Sequence, residues 1–155
     1  MGPQVSGVRW VERREDVGRF CREVAPGLYV RSFTSIAEPR GPFARIVLSN
    51  AIESASVVAQ LFVPVPDDAP IPDEVFECAV AFARYTRKSV PLVVQCRMGL
   101  SRSASMAYAI LRVVDGFGHA EAFERVRSNV LGQEWPAPEV IASAQAWVER
   151  VTAKS

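Results

Sequence analysis

Hydrophobic positions in this chain follow two rhythms, a short one early and a longer one late. Apolar residues cluster in brief runs at Leu28 to Arg31, in ARIVLSN at 44–50, at Leu61 to Val65 and at Leu92 to Gln95. Turn signals bound them: Pro26-Gly27, EPRGP at 38–42, PVPDDAPIP at 64–72 and Ser89 to Pro91. Runs of this length between such boundaries predict strands. From residue 72 onward the spacing stretches to the helical period. Pro72, Asp73 and Glu74 have the composition of a first turn, and Val75, Ala79, Phe82 and Thr86 form a stripe ending near Arg87 and Lys88. That predicts a helix over 72–88, with Cys78 near its buried face. Further helices are expected at 101–115, 119–131 and 138–152, the last with Val140, Ala144, Trp147, Val148 and Val151 on one face.

Strands early, helices late and no internal repeat predict a single α/β domain with a small central sheet flanked by helices. Residues 1–25 are charged and carry no assignable pattern; they are expected to form a peripheral N-terminal arm. Trp10, Trp135 and Trp147 read as packing residues, His119 as a helix-start residue, and Arg125 and Arg127 as a solvated face.

Composition narrows the functions open to such a domain. The chain has 155 residues, enough to bury a core without covalent staples. A net charge of +1 gives no long-range field for nucleic acid or an anionic membrane, so anion recognition must be local. No apolar stretch reaches the roughly 20 residues of a membrane span. Three cysteines, Cys21, Cys78 and Cys96, form no CxxC pair, and with the lone His119 they assemble no metal set. Free thiols and the absence of an apolar leader imply the cytoplasm.

Local anion recognition has one strong candidate, VVQCRMGLSRSAS at 93–105. Cys96 ends a predicted strand, 97–101 is loop, and a helix opens at Arg102 or Ser103. A loop entering a helix N-terminus turns unpaired N–H groups inward at the positive end of the macrodipole. Gly99 supplies the positive φ that such a ring of amides needs. The backbone of Arg97, Met98, Gly99, Leu100, Ser101 and Arg102 can therefore hold a tetrahedral oxyanion, and the Arg102 guanidinium can grip two of its oxygens. The same field favours the thiolate of Cys96, the nucleophilic form. Ser103 is placed to donate a hydrogen bond to the sulfur.

With glycine at the middle and serine after the arginine, CRMGLSRS resembles the signature of the cysteine-dependent protein tyrosine phosphatases, most closely the dual-specificity branch. The resemblance covers about residues 26–130, and its specific parts are 63–72 and 95–103. It implies a phospho-cysteine intermediate on Cys96, phosphate held by the 97–102 amides and Arg102, and assistance from Ser103. It also implies a general acid in VPVPDDAP: Asp67 fits best, 29 residues before Cys96 on a loop after a strand, with Asp68 in reserve. Asn50 resembles an asparagine that braces the loop in relatives. One departure stands out, since similar loops carry histidine before the cysteine and this chain has Gln95. The amide can donate a hydrogen bond but carries no charge.

The implied activity is hydrolysis of phosphotyrosine in a phosphoprotein or phosphopeptide, with phosphoserine and phosphothreonine also admitted by a shallow pocket. A single cation inside the loop, Arg97, argues against phosphoinositides and nucleotides. No cofactor or metal is called for, because Arg102 and the amides already meet the phosphoryl charge. Two other classes share a cysteine loop. A phosphate-binding module with weak turnover is motivated by Gln95. A sulfurtransferase of the rhodanese kind has a loop one residue shorter, and here Ser101 stands where its arginine would fall. Oligomeric state has no signal in the sequence.

Overall fold

The computed structural model describes residues 5–6, 9–11, 21–35 and 37–154. In chain order the elements are β1 (Val5–Ser6), β2 (Arg9–Val11), β3 (Cys21–Ala25), β4 (Leu28–Ser32), β5 (Phe43–Val47) and β6 (Val57–Phe62). They continue with α1 (Asp73–Thr86), β7 (Leu92–Cys96), α2 (Arg102–Val113), α3 (His119–Val126), β8 (Ser128–Val130), β9 (Gln133–Trp135) and α4 (Pro138–Ala153). This is the expected mixed α/β arrangement.

The main sheet runs β1-β3-β4-β7-β5-β6, with only β3 and β4 antiparallel. β7 lies between two parallel neighbours, and all five of its residues are buried. Its sequence, LVVQC, is nearly unbroken apolar, as a strand covered on both faces requires. Parallel neighbours also bring the ends of β4, β5 and β7 together at one rim, where clefts form in such sheets.

The two faces of the sheet differ. Leu28, Val30, Ile46, Val94 and Cys96 join the large core under the helices, with Phe76, Met106, Ile110 and Val148. On the other face Tyr29, Phe43, Val93 and Cys21 pack with Ala37 of the β4–β5 connection. Period-two alternation along each strand assigns these side chains to opposite faces.

Several local expectations change, and the strand expected at Leu61 to Val65 lies earlier, at Val57–Phe62. Residues 21–25, expected within an arm, form a strand of the sheet, and Arg22 within it is fully buried. Its guanidinium donates to the carbonyls of Arg125 and Val126 at the end of α3. Free C-terminal carbonyls call for such a donor. The helix expected over 119–131 therefore stops at Val126, and Ser128–Val130 pairs with β2 and β9 around a turn in which Leu131 and Gly132 both have positive φ. Arg125 and Arg127, read as a solvated face, are half-buried: Arg125 donates to Val24 and stacks over Phe117. Finally, α1 buries Phe76, Ala79, Val80, Ala83 and Thr86, a stripe turned about one position from the expected one, so Cys78 is exposed. Phe76, the bulkiest of the set, decides the rotation by stacking on Trp147 of α4 at 5.4 Å.

Candidate active site

Cys96 closes β7 beside Ser32 of β4 and is 2% exposed. The chain then turns through 97–101 and enters α2 at Arg102. Gly99 has φ +73, and a Cβ there would lie 2.7 Å from Ser32 N and 2.8 Å from the carbonyl carbon of Arg31. Only glycine allows both the left-handed backbone and the close approach to β4. Leu100 and Ser101 are buried, whereas Arg97 and Met98 face solvent. The Ser101 hydroxyl accepts the N–H of Ala137, which anchors the loop to the segment leading into α4.

The start of α2 carries no compensating negative charge of its own. Ser101 makes no side-chain cap, and the first turn holds no acidic residue, unlike the first turns of α1, α3 and α4. Instead the N–H of Ser103 points at the Cys96 sulfur, 3.4 Å away. The Ser103 hydroxyl lies 3.1 Å from the same sulfur; a thiol donates to it, and a thiolate accepts from it. The N–H and the hydroxyl of Ser103 therefore converge on Cys96 at a helix N-terminus.

Arg102 folds back from the helix start and is 5% exposed. Its Nη1 donates to the carbonyl of Val65 at 2.8 Å, which fixes the plane of the guanidinium. Nε lies 3.5 Å from Asp67 Oδ1, an ion pair without hydrogen-bond geometry, so a buried N–H is left without a bonded partner among the described residues. A buried donor in that condition is unfavourable unless a ligand completes it. Asp67 itself is exposed and accepts the N–H of Asp68, whose φ is +53. Both aspartates line a cleft of about 230 Å³ together with Cys96, Arg102, Met98 and Trp135.

Trp135 is the site residue that sequence reasoning missed. It packs with Leu100 and Val130 and also walls the cleft, so the packing expected of it is only part of its position. Nothing in its neighbourhood along the chain marks it, since it reaches the cleft from a hairpin well past the cysteine loop. Trp147 is the core residue expected, and the Trp10 side chain lies outside the described residues. Asn50 reaches the loop region through its backbone carbonyl, which accepts from Gln95 Nε2 at 2.8 Å. A disulfide between Cys21 and Cys96 is excluded by strand order. Cys21 pairs with Arg31, and Arg31 with Gln95, so two strand spacings, roughly 9–10 Å, separate β3 from β7. A larger depression of about 660 Å³ opens at the far end of the strands, lined by Gly27, Arg84, Arg87 and Lys88. Its cations suit the C-terminal ends of α1 and α2, and Arg87 is taken by Asp115 at 2.6 Å.

No family model and no curated protein matches the sequence. Solved structures do match in fold. Human DUSP28 aligns with a TM-score of 0.71 and 26% identity, over 88% of this chain and 100% of its own. A mouse putative dual specificity phosphatase, solved with zinc tungstate, gives a TM-score of 0.71 at 24% identity, over 88% and 91%. A human tyrosine phosphatase-like serine/threonine/tyrosine-interacting protein gives 0.66 at 18%, over 87% and 99%. The fold is thus that of the cysteine-dependent protein tyrosine phosphatases. Among such folds the likeness is to dual-specificity phosphatase structures, in line with the resemblance of the loop sequence.

Proposed function

We propose that the protein is a phosphoric monoester hydrolase that dephosphorylates phosphotyrosine in proteins through a phospho-cysteine intermediate on Cys96. The observation carrying this reading is the convergence of Ser103 N–H and hydroxyl on a buried sulfur, beside a buried arginine with an uncompleted N–H. In the first step the Cys96 thiolate attacks phosphorus, the ester P–O bond breaks, and Asp67 gives its proton to the departing oxygen. Amides 97–102 and two N–H groups of Arg102 hold the equatorial oxygens. Water then attacks the phospho-cysteine, Asp67 takes a proton from it, and inorganic phosphate leaves as the Ser103 hydroxyl stabilises the thiolate. The partner is a phosphoprotein or phosphopeptide, and an open cleft with one aromatic wall admits phosphoserine and phosphothreonine too. Free thiols at Cys21, Cys78 and Cys96 suit a cytoplasmic location.

Tungstate is a tetrahedral oxyanion like phosphate, so the mouse relative's complex supports the same ligand chemistry here. The human relative described as phosphatase-like keeps a second reading open, an oxyanion-binding module with little turnover. One experiment separates the two: hydrolysis of p-nitrophenyl phosphate and of phosphotyrosine, phosphoserine and phosphoinositide substrates, with Cys96→Ser as control. Turnover abolished in Cys96→Ser, with inorganic phosphate still bound, is the expected result. Equal hydrolysis by both proteins removes Cys96 as nucleophile, and phosphate binding without wild-type turnover favours the binding module.

A further inference from the structure

The sheet face away from the helices carries a buried polar layer that the mechanism above does not use. Gln95 is fully buried there, Arg31 is 4% exposed and Arg45 is 6% exposed. Arg31 and Gln95 are register partners on β4 and β7, so their side chains share this face. Cys96, one residue on, belongs to the core on the opposite face.

The donor and acceptor inventory of this group is nearly closed. Gln95 Oε1 accepts twice from Arg31, from Nε at 3.2 Å and Nη2 at 2.6 Å. Its Nε2 donates to the Asn50 carbonyl at 2.8 Å. Arg31 Nη1 donates to the Ala37 carbonyl and to Glu38 Oε2, both at 3.3 Å. Turning the Gln95 amide over would set its NH₂ against a guanidinium, so one orientation is enforced. The residue before the nucleophile is therefore held at both ends of its side chain. Arg31 also meets the loop through its backbone, because its carbonyl carbon and Ser32 N abut Gly99.

We infer that Arg31 and Gln95 are the positioning residues of the cysteine loop, and that the charge of Arg31 stands behind the position where similar loops carry histidine. This inference rests on the phosphatase reading. Its physical basis is the high cost of leaving a buried guanidinium unpaired, which makes the Arg31–Gln95 contact hard to break and so fixes where β7 ends. A histidine at position 95 would meet Arg31 with a bare nitrogen and Asn50 with an N–H, which is the neutral ring. Among the described residues the charged groups on this face are Arg31, Arg45, Glu23, Glu38 and Glu53, with Cys21 kept as a neutral thiol by burial and Tyr29 raised by burial and then by Glu23. Arg31 is the one bonded to residue 95, and it opposes an imidazolium there.

Two substitutions separate positioning from packing. Gln95→Met keeps length and volume but neither bond; Gln95→His changes shape but keeps an acceptor for Arg31 and a donor for Asn50. With p-nitrophenyl phosphate, kcat/KM of Gln95→Met should fall about 10²-fold, the scale of a misplaced catalytic group. Gln95→His should stay within a few-fold of wild type, its rate profile superimposable on wild type from about pH 5 to 8, where an exposed histidine would titrate. Full activity in Gln95→Met overturns the inference, and so does a new inflection in the Gln95→His profile. If thermal melting shows Gln95→Met unfolded, Arg31→Lys replaces it, keeping the charge and losing the fork: a clear drop in kcat/KM is expected, and unchanged activity is fatal. Should wild-type protein show no turnover, the phosphatase reading fails by itself. The same ranking of variants is then read from calorimetric affinity for inorganic phosphate.

Discussion

At the residue scale, Arg102 is both held by the Val65 carbonyl and paired with Asp67. The chain supplies two adjacent aspartates, and local pattern alone favours the first only through resemblance. Geometry adds a reason: Asp67 approaches the guanidinium, while Asp68 takes left-handed φ and spends its N–H on the Asp67 carboxylate. Aspartate tolerates that backbone better than most residues, which marks Asp68 as the turn former. Asp67→Asn is therefore expected to slow hydrolysis of phenyl phosphate, a poor leaving group, by about 10²–10⁴-fold. Hydrolysis of p-nitrophenyl phosphate should fall far less. Steady-state kcat on both esters checks the assignment, and the same pattern in Asp68→Asn instead would transfer the role. Cys96, Arg102 and Ser103 were legible because they sit within one short stretch, where spacing sets geometry directly.

At the scale of elements, the β8–β9 hairpin shows what periodicity cannot report. The run FERVRSNVL continues the helical rhythm of α3, but Arg22 binds the carbonyls of Arg125 and Val126 and β2 takes up Ser128–Val130 as a strand. The hairpin then carries Trp135 to the cleft. An indole at that wall offers a stacking surface to a phenyl ring but nothing to a small alkyl ester. Trp135→Ala should raise KM for phosphotyrosine peptide about 2- to 10-fold, the worth of one aromatic pair. KM for a phosphoserine peptide should hardly move. Equal losses on both would assign the tryptophan to support of Leu100 and the loop, not to the ligand.

For the whole molecule, the polar layer beneath the sheet sets an alkaline limit on stability. Burial pushes the Cys21 thiol from its ordinary 9.0 up to about 11, against the opposing pull of Arg31. Tyr29, on the same face, is also raised, first by burial and then by Glu23. A raised folded-state value means that the unfolded thiol ionises first, so stability is complete below pH 9 and declines as pH rises towards 11. Cys21 contributes about 2–3 kcal/mol to that decline. Denaturant unfolding across this range should show a shallower slope in Cys21→Ala than in wild type, with part of the slope remaining from Tyr29. An unchanged slope would remove Cys21 from the account.

By itself the sequence determined the strand that ends at Cys96, the loop over 97–101 and the helix start at Arg102, because all of these depend on neighbours a few bonds apart. It also determined the α/β class, since apolar period follows secondary structure and needs no partner. Only the tertiary structure decided what lies behind and around that loop. Arg31 comes to Gln95 from another strand, Trp135 to the cleft from a later hairpin, and Arg22 ends a helix from more than one hundred residues away. Each is a polar or aromatic side chain whose surroundings are chosen by chain folding, and no local rhythm records which distant group will complete its hydrogen bonds.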